Sequence, residues 1–182
     1  MSIPRDQLDL ELYIRTVPDF PKPGVSYKDV TPLVEDGPAM HAAVDRLATA
    51  VDNLDYDRIL SAEARGFVFG TALAYRVKKG LILARKPNKL PRETISATYD
   101  LEYGTDTLEA HADSVQPGMR ILVSDDLLAT GGTARAMCDL VESAGGIVAG
   151  VAVLIELGYL NGRQRLVPYD VFSVINYDDP NQ

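Results

Sequence analysis

Ile121-Leu122-Val123-Ser124-Asp125-Asp126-Leu127-Leu128-Ala129-Thr130-Gly131-Gly132-Thr133 reads as a buried strand, 121–124, that runs straight into paired acids and a Gly-rich turn; helical spacing begins at Gly132. A turn of this kind at a helix start presents unpaired backbone N–H groups and the positive end of the helix dipole, which together attract an anion. Gly131 and Gly132 let the backbone approach the anion and allow positive φ. Thr130 and Thr133 add hydroxyl donors. Asp125 and Asp126 would repel that anion if aimed at it, so they suit a different part of the ligand, a sugar diol or a Mg²⁺ ion. The stretch thus holds a phosphate and a ribose side by side. Taken alone, a Gly-rich strand-to-helix turn is equally a plain tight turn with two loop-start acids. No Gly-Lys-Ser/Thr follows a glycine at P-loop spacing, and Gly-x-Gly-x-x-Gly is absent.

Outward from this stretch, the chain alternates short apolar runs with helical spacing. Strands are expected at 58–61, 81–84, 120–124, 147–155 and 171–175. Helices are expected over 40–54, with Pro38 in the first turn, over 66–78, and over 132–144, with Gly145-Gly146 after it. Between 94 and 111 the period changes to two, broken at Tyr103-Gly104, which predicts an antiparallel hairpin. The Pro-rich stretches 18–23 and 87–91 read as loops. Alternating strands and helices imply right-handed βαβ units. The fold class is therefore α/β: a single domain, 1–182, with a central, mostly parallel sheet flanked by helices and a hairpin over the site. Ligands of such sheets bind outside the carboxyl ends of the strands, here the ends of 58–61, 81–84 and 120–124.

Composition excludes several function classes. The 182 residues carry a net charge of −8, so a nonspecific grip on DNA or RNA is not expected. No apolar run approaches the ~20 residues of a membrane span, and the first residues lack the apolar region of a signal peptide. The single Cys138 leaves no intrachain disulfide and suits a reducing, cytoplasmic setting. It reads as a small core residue rather than a nucleophile. His41 and His111 match no motif. A basic cluster, Arg85, Lys86 and Lys89, follows directly on a buried strand. By itself it is a solvated loop; its position gives it a functional reading.

Four motifs in order carry a family resemblance. Val123 to Thr133 resembles the phosphoribosyl-pyrophosphate (PRPP) motif of type I phosphoribosyltransferases, in the Leu-Leu-Ala-Thr-Gly-Gly-Thr version of the adenine-specific branch. Asp19-Phe20-Pro21-Lys22-Pro23-Gly24-Val25 with Tyr27-Lys28-Asp29 resembles the family's base-binding segment. Glu63-Ala64-Arg65-Gly66-Phe67-Val68-Phe69-Gly70 resembles its pyrophosphate loop. Arg85-Lys86, Lys89-Leu90-Pro91 and Tyr99-Asp100-Leu101-Glu102-Tyr103-Gly104 resemble its mobile loop. The likeness runs from about residue 17 to 174. It departs at Ser26, where the family is usually apolar, at Lys28, where arginine is frequent, and at Arg92-Glu93, where glycine is frequent.

The resemblance implies transfer of the 5-phosphoribosyl group from PRPP to N9 of a purine, adenine first of all, with inversion at the anomeric carbon and loss of pyrophosphate. It implies that Ala129, Thr130, Gly131, Gly132 and Thr133 hold the 5′-phosphate. Asp125 and Asp126 contact the ribose hydroxyls and favour the developing cation. Arg65, Arg85, Lys86 and Lys89 face the leaving pyrophosphate, and the peptide just before Arg65 is often cis. Val25, Ser26, Tyr27 and Lys28 take the base, Tyr27 by stacking and Ser26 and Lys28 by backbone groups, within an N-terminal segment of about 1–35 set on a core of 36–182. Glu102 is the candidate proton acceptor. Mg²⁺ is carried by PRPP, and the family is usually dimeric. Two alternatives remain at this stage. One is the same transfer to hypoxanthine, guanine or xanthine, against which the Leu-Leu-Ala-Thr-Gly-Gly-Thr and Pro-Gly-Val stretches argue. The other is a non-catalytic PRPP sensor, which would carry a DNA-binding region for which the 18 residues before Asp19 leave little room.

Overall fold

A computed structural model describes residues 8–100 and 105–180. After a 3₁₀ turn at Leu10–Tyr13 come β1 (Arg15–Pro18), β2 (Ser26–Asp29), α1 (Thr31–Glu35) and α2 (Gly37–Ala50). The central run is β3 (Arg58–Ala62), α3 (Arg65–Val77), β4 (Gly80–Ala84), β5 (Thr94–Asp100), β6 (Thr105–His111), β7 (Arg120–Leu128), α4 (Gly132–Ser143) and β8 (Ile147–Leu157). Two 3₁₀ turns, Gly158–Leu160 and Gly162–Leu166, lead to β9 (Val171–Tyr177).

The apolar runs form one parallel five-stranded sheet in the order β4-β3-β7-β8-β9. Alternate residues of each strand enter opposite cores, as the two-residue period of a strand requires. Ile59, Leu122, Ala152 and Leu154 pack with Ala43, Leu47, Phe69 and Leu73 of α2 and α3. Leu60, Ile121, Val123, Val151 and Val153 pack with Ala136, Met137, Leu140 and Val141 of α4 and with Leu108 and Ala110 of β6. Asp36 caps α2 by accepting from Ala39 N at 2.8 Å, with Pro38 in the first turn as expected. Cys138 is fully buried in the second core, where burial pushes its thiol up to about 12, so it behaves as an apolar residue.

Two smaller sheets flank the large one: the antiparallel pairs β1-β2 and β5-β6. The expected hairpin at 94–111 is β5-β6, in register from Thr94↔His111 to Asp100↔Thr105. The β1-β2 ribbon, not expected from the sequence, brackets the Pro-rich stretch 18–23, which is loop as expected apart from Pro18 at the end of β1. The second difference matters more for the site. β7 does not stop at residue 124 but continues to Leu128, because β8 also runs on and pairs with it at Leu127↔Ile155 and Leu128↔Glu156. Asp125 and Asp126 are strand residues rather than the start of a loop. Among the described residues no helix is long and apolar enough to cross a membrane.

Candidate active site

Where β7 ends and α4 begins, Gly131 adopts φ 84°, the left-handed region open to glycine at little cost. Among the described residues no side chain caps α4, so its first N–H groups stay available at the positive end of its dipole. Residues Ala129 to Thr133 form one wall of a cavity of about 390 Å³; Asp125, Asp126, Arg65 and Lys86 also line it. Nine of the expected PRPP-binding residues therefore meet around one space: Arg65, Lys86, Asp125, Asp126, Ala129, Thr130, Gly131, Gly132 and Thr133.

Asp125 and Asp126 are buried, at 8% and 5% exposure. Burial, followed by the charge of Asp126, pushes the Asp125 carboxyl well above the ordinary range. Burial also raises Asp126, though Arg65 draws it back down. Asp125 Oδ1 accepts from the Asp126 amide at 2.9 Å. Arg65 Nε lies 2.9 Å from Asp126 Oδ2 as a charge pair, and among the described residues that oxygen accepts no directed hydrogen bond. Gly66, at the start of α3, lets the Asp125 carboxylate sit against the helix: a Cβ there would fall 2.5 Å from Asp125 Oδ1.

The basic residues divide. Lys86 lines the cavity and pairs with Asp106 on β6, which also accepts from the Tyr99 hydroxyl at 3.2 Å. Arg85 turns away and forks onto Glu63 at 3.0 and 3.1 Å. Lys89 is exposed, and neither it nor Arg85 lines the cavity. Burial alone would raise the Glu63 carboxyl, but the Lys86 amide at 2.5 Å and the Arg85 fork hold it below its ordinary value. The cis peptide expected just before Arg65 lies one bond earlier, at Glu63-Ala64.

Of the expected base-binding residues, none lines the cavity directly. Tyr27 borders it through Arg65, which donates to the Tyr27 hydroxyl and lies with Cζ 5.0 Å from the ring centroid. Phe20 meets Tyr27 edge-to-face at 5.0 Å. The Lys28 side chain points the other way: it is buried, with Nζ 2.9 Å from Thr16 Oγ1 and 4.3 Å from the Tyr177 ring centroid. It anchors the β1-β2 ribbon to β9, leaving only its backbone for a ligand. Val25 and Ser26 lie on or beside β2, half-buried. Glu102 lies outside the described residues. Asp106, Tyr99 and Gly66 were not singled out from sequence. Asp106 carries no local signal, since it reaches the cavity only through the register of the hairpin; Tyr99 and Gly66 each stand inside a motif that gives them no role of their own.

The phosphoribosyl transferase domain family model matches residues 33–182. An adenine phosphoribosyltransferase of Rubrobacter xylanophilus is 71% identical over 168 residues, 92% of this chain and 91% of that protein. One from Desulfitobacterium hafniense is 55% identical over 93% of this chain and 98% of its own length. The crystal structure of adenine phosphoribosyltransferase from Thermoanaerobacter pseudethanolicus superposes with a TM-score of 0.91 at 49% identity, covering 92% of this chain and 98% of that one. The Giardia lamblia APRTase complexed with 9-deazaadenine gives 0.88 at 31% identity over 94% and 97%.

Proposed function

Since the chain belongs to the phosphoribosyltransferase family, we propose that it transfers the 5-phosphoribosyl group of PRPP to N9 of adenine, yielding AMP and pyrophosphate in purine salvage. One observation carries the reading: an uncapped helix N-terminus and a buried pair of strand-borne carboxylates face one cavity. That pairing fits a sugar phosphate, an anion joined to a diol.

In this reading the amides of Ala129 to Thr133 fix the 5′-phosphate, and Asp125 and Asp126 accept from the ribose hydroxyls. With one end fixed and the diol held, the anomeric carbon has a set position, and positioning supplies a large part of such rate enhancement. As the bond to pyrophosphate stretches, positive charge grows on the sugar and negative charge on the leaving group. The carboxylates favour the first and Arg65 and Lys86 the second. Arg65 and Lys86 are held by Asp126 and Asp106 before substrate arrives, which offsets the charges in the cavity. Arg85 and Lys89 would act on pyrophosphate only after leaving Glu63 and solvent. Mg²⁺ would come with PRPP, on its pyrophosphate, and Asp125 and Asp126 would offer it the hard oxygen atoms it prefers.

Tyr27 would offer its ring to the base, and the backbone of Val25 to Lys28 would face the adenine edge, in an N-terminal segment of about 1–35. Glu102 would take the proton that N9 loses. A second copy of the chain is supported by exposed apolar groups on adjoining elements: Val68 and Tyr75, two turns apart on α3, and Leu83 on the sheet-edge strand β4. The lone buried Cys138 supports a cytoplasmic setting.

The test is turnover with PRPP·Mg²⁺ and each of adenine, hypoxanthine, guanine and xanthine, following nucleotide and pyrophosphate. AMP from adenine, with little product from the others, is expected. Product only from another base overturns the base assignment, and no product from any overturns the activity.

A further inference from the structure

Behind the phosphate-binding turn lies a segment that the transfer reaction does not use directly. The 3₁₀ turn Gly162–Leu166 brings Gly162 against the back of residues 129–131. A Cβ on Gly162 would fall 2.2 Å from Ala129 O and 3.1 Å from Gly131 N; one on Gly131 would fall 2.6 Å from Gly162 O. The two backbones touch with no room for a methyl group on either side.

The next residue fastens this contact to the sheet. Arg163 forks onto Glu156 of β8, Nε to Oε1 at 2.6 Å and Nη2 to Oε2 at 2.6 Å. It also donates to Val171 O at 2.6 Å and to Ser173 Oγ at 3.1 Å, both on β9. Ser173 Oγ in turn donates to Glu156 Oε2 at 2.8 Å. Glu156 is buried and lies in register between Leu128, the last residue of β7, and Asn176 of β9. The planar fork of arginine fixes both distance and direction, which a single point charge would not. One network therefore ties the end of β7, where the turn begins, to the segment that backs the turn.

We propose that Arg163, held by Glu156 and Ser173, is a positioning residue for the sugar phosphate: it presses Gly162 against Ala129 and Gly131 and so sets the spacing of the amides that receive the 5′-phosphate. This rests on the phosphoribosyl-transfer reading. Arg163 itself touches no substrate. Its loss would loosen the end of the ligand bearing the phosphate and leave the base end alone.

Three variants test it: Arg163→Met, which keeps the apolar stem and loses the fork; Arg163→Lys, which keeps the charge; and Gly162→Ala, which wedges the contact apart. Affinity for ribose 5-phosphate is measured by calorimetry, KM for PRPP and for adenine by turnover, and folding by thermal melting. Arg163→Met and Gly162→Ala are expected to weaken ribose 5-phosphate and raise the PRPP KM by about tenfold or more, with the adenine KM little changed, since small misplacements in a binding frame are costly. Arg163→Lys is expected to fall between Arg163→Met and wild type. Unchanged ribose 5-phosphate affinity in folded Arg163→Met overturns the proposal, as does an equal rise in both KM values. Should Arg163→Met not fold, unchanged affinity in Arg163→Lys and Gly162→Ala together overturns it. Wild-type protein that neither binds ribose 5-phosphate nor turns over PRPP would sink the parent reading instead.

Discussion

Replacing Gly66 by alanine adds one methyl group at a place with no space for it. Its Cβ would lie 2.5 Å from Asp125 Oδ1 and 3.0 Å from Ser61 Oγ, boxed between the two. Ordinary contact begins near 3.4 Å, so the Asp125 carboxylate must retreat by about 0.9 Å. It cannot do so freely, because it is 8% exposed and its Oδ1 already accepts from Asp126 N at 2.9 Å. A shift of that size in a substrate-positioning group costs about 10²-fold in rate, or ~2.7 kcal/mol of transition-state stabilisation. Stability should change much less. The disturbed hydrogen bond costs about 1 kcal/mol, and alanine in a helix returns up to ~1 kcal/mol over glycine. The expected result is kcat/KM for PRPP lowered by about two orders of magnitude at a nearly unchanged Tm, read from steady-state AMP formation and thermal melting. A Gly66→Ala enzyme with wild-type kcat/KM would falsify the placement of Asp125 as a positioned sugar contact.

Other outcomes follow from the same carboxylates. Because burial and Asp126 raise the Asp125 carboxyl, folding favours its protonated form; the associated stability is complete below the unfolded value near ~3.9 and is lost as pH rises through the raised folded value. Asp125→Asn should therefore melt higher than wild type at pH 7 without ligand, the gain shrinking towards pH 4; an equal gain at every pH would contradict this. Asp126→Asn removes both a ribose contact and the partner of Arg65. Turnover should drop about tenfold or more while adenine affinity shifts less, and equal losses in both would count against the role. Glu102→Gln should lower kcat by about 10²-fold and leave ribose 5-phosphate binding intact. Wild-type kcat across pH would remove Glu102 as the proton acceptor.

Much of the fold is legible in the chain because its signals are local. The runs at 58–61 and 120–124 read as buried parallel strands, and 81–84 is apolar throughout although β4 lies at the sheet edge with Leu83 exposed. Gly131 marks its own positive φ. What stays hidden depends on partners distant in sequence. Ser124-Asp125-Asp126 looks like the end of a strand, yet β8 supplies hydrogen bonds that carry β7 to Leu128. The Arg85-Lys86-Lys89 cluster shows its charge but not its allegiance: Glu63 takes Arg85 and Asp106 takes Lys86. Lys28 reads as a backbone contact to the base, and nothing nearby in sequence tells where its side chain goes; Tyr177, almost 150 residues later, draws it inward. The crowding of Gly162 against Ala129 has no sequence signature, because a glycine records the absence of a side chain and not the neighbour that forbids one.

The cavity is walled by the end of the five-stranded sheet and by one thin ribbon, β5-β6; a second ribbon, β1-β2, borders it only through Arg65. Two strands alone are marginal in water, and regions with fewer buried contacts open at lower free energy. Such an enclosure breathes from its ribbons inward. Amide exchange should be fastest along the two ribbons and slowest along β7, so guests come and go through thin doors while the seat for their charged end stays bolted to the thickest wall.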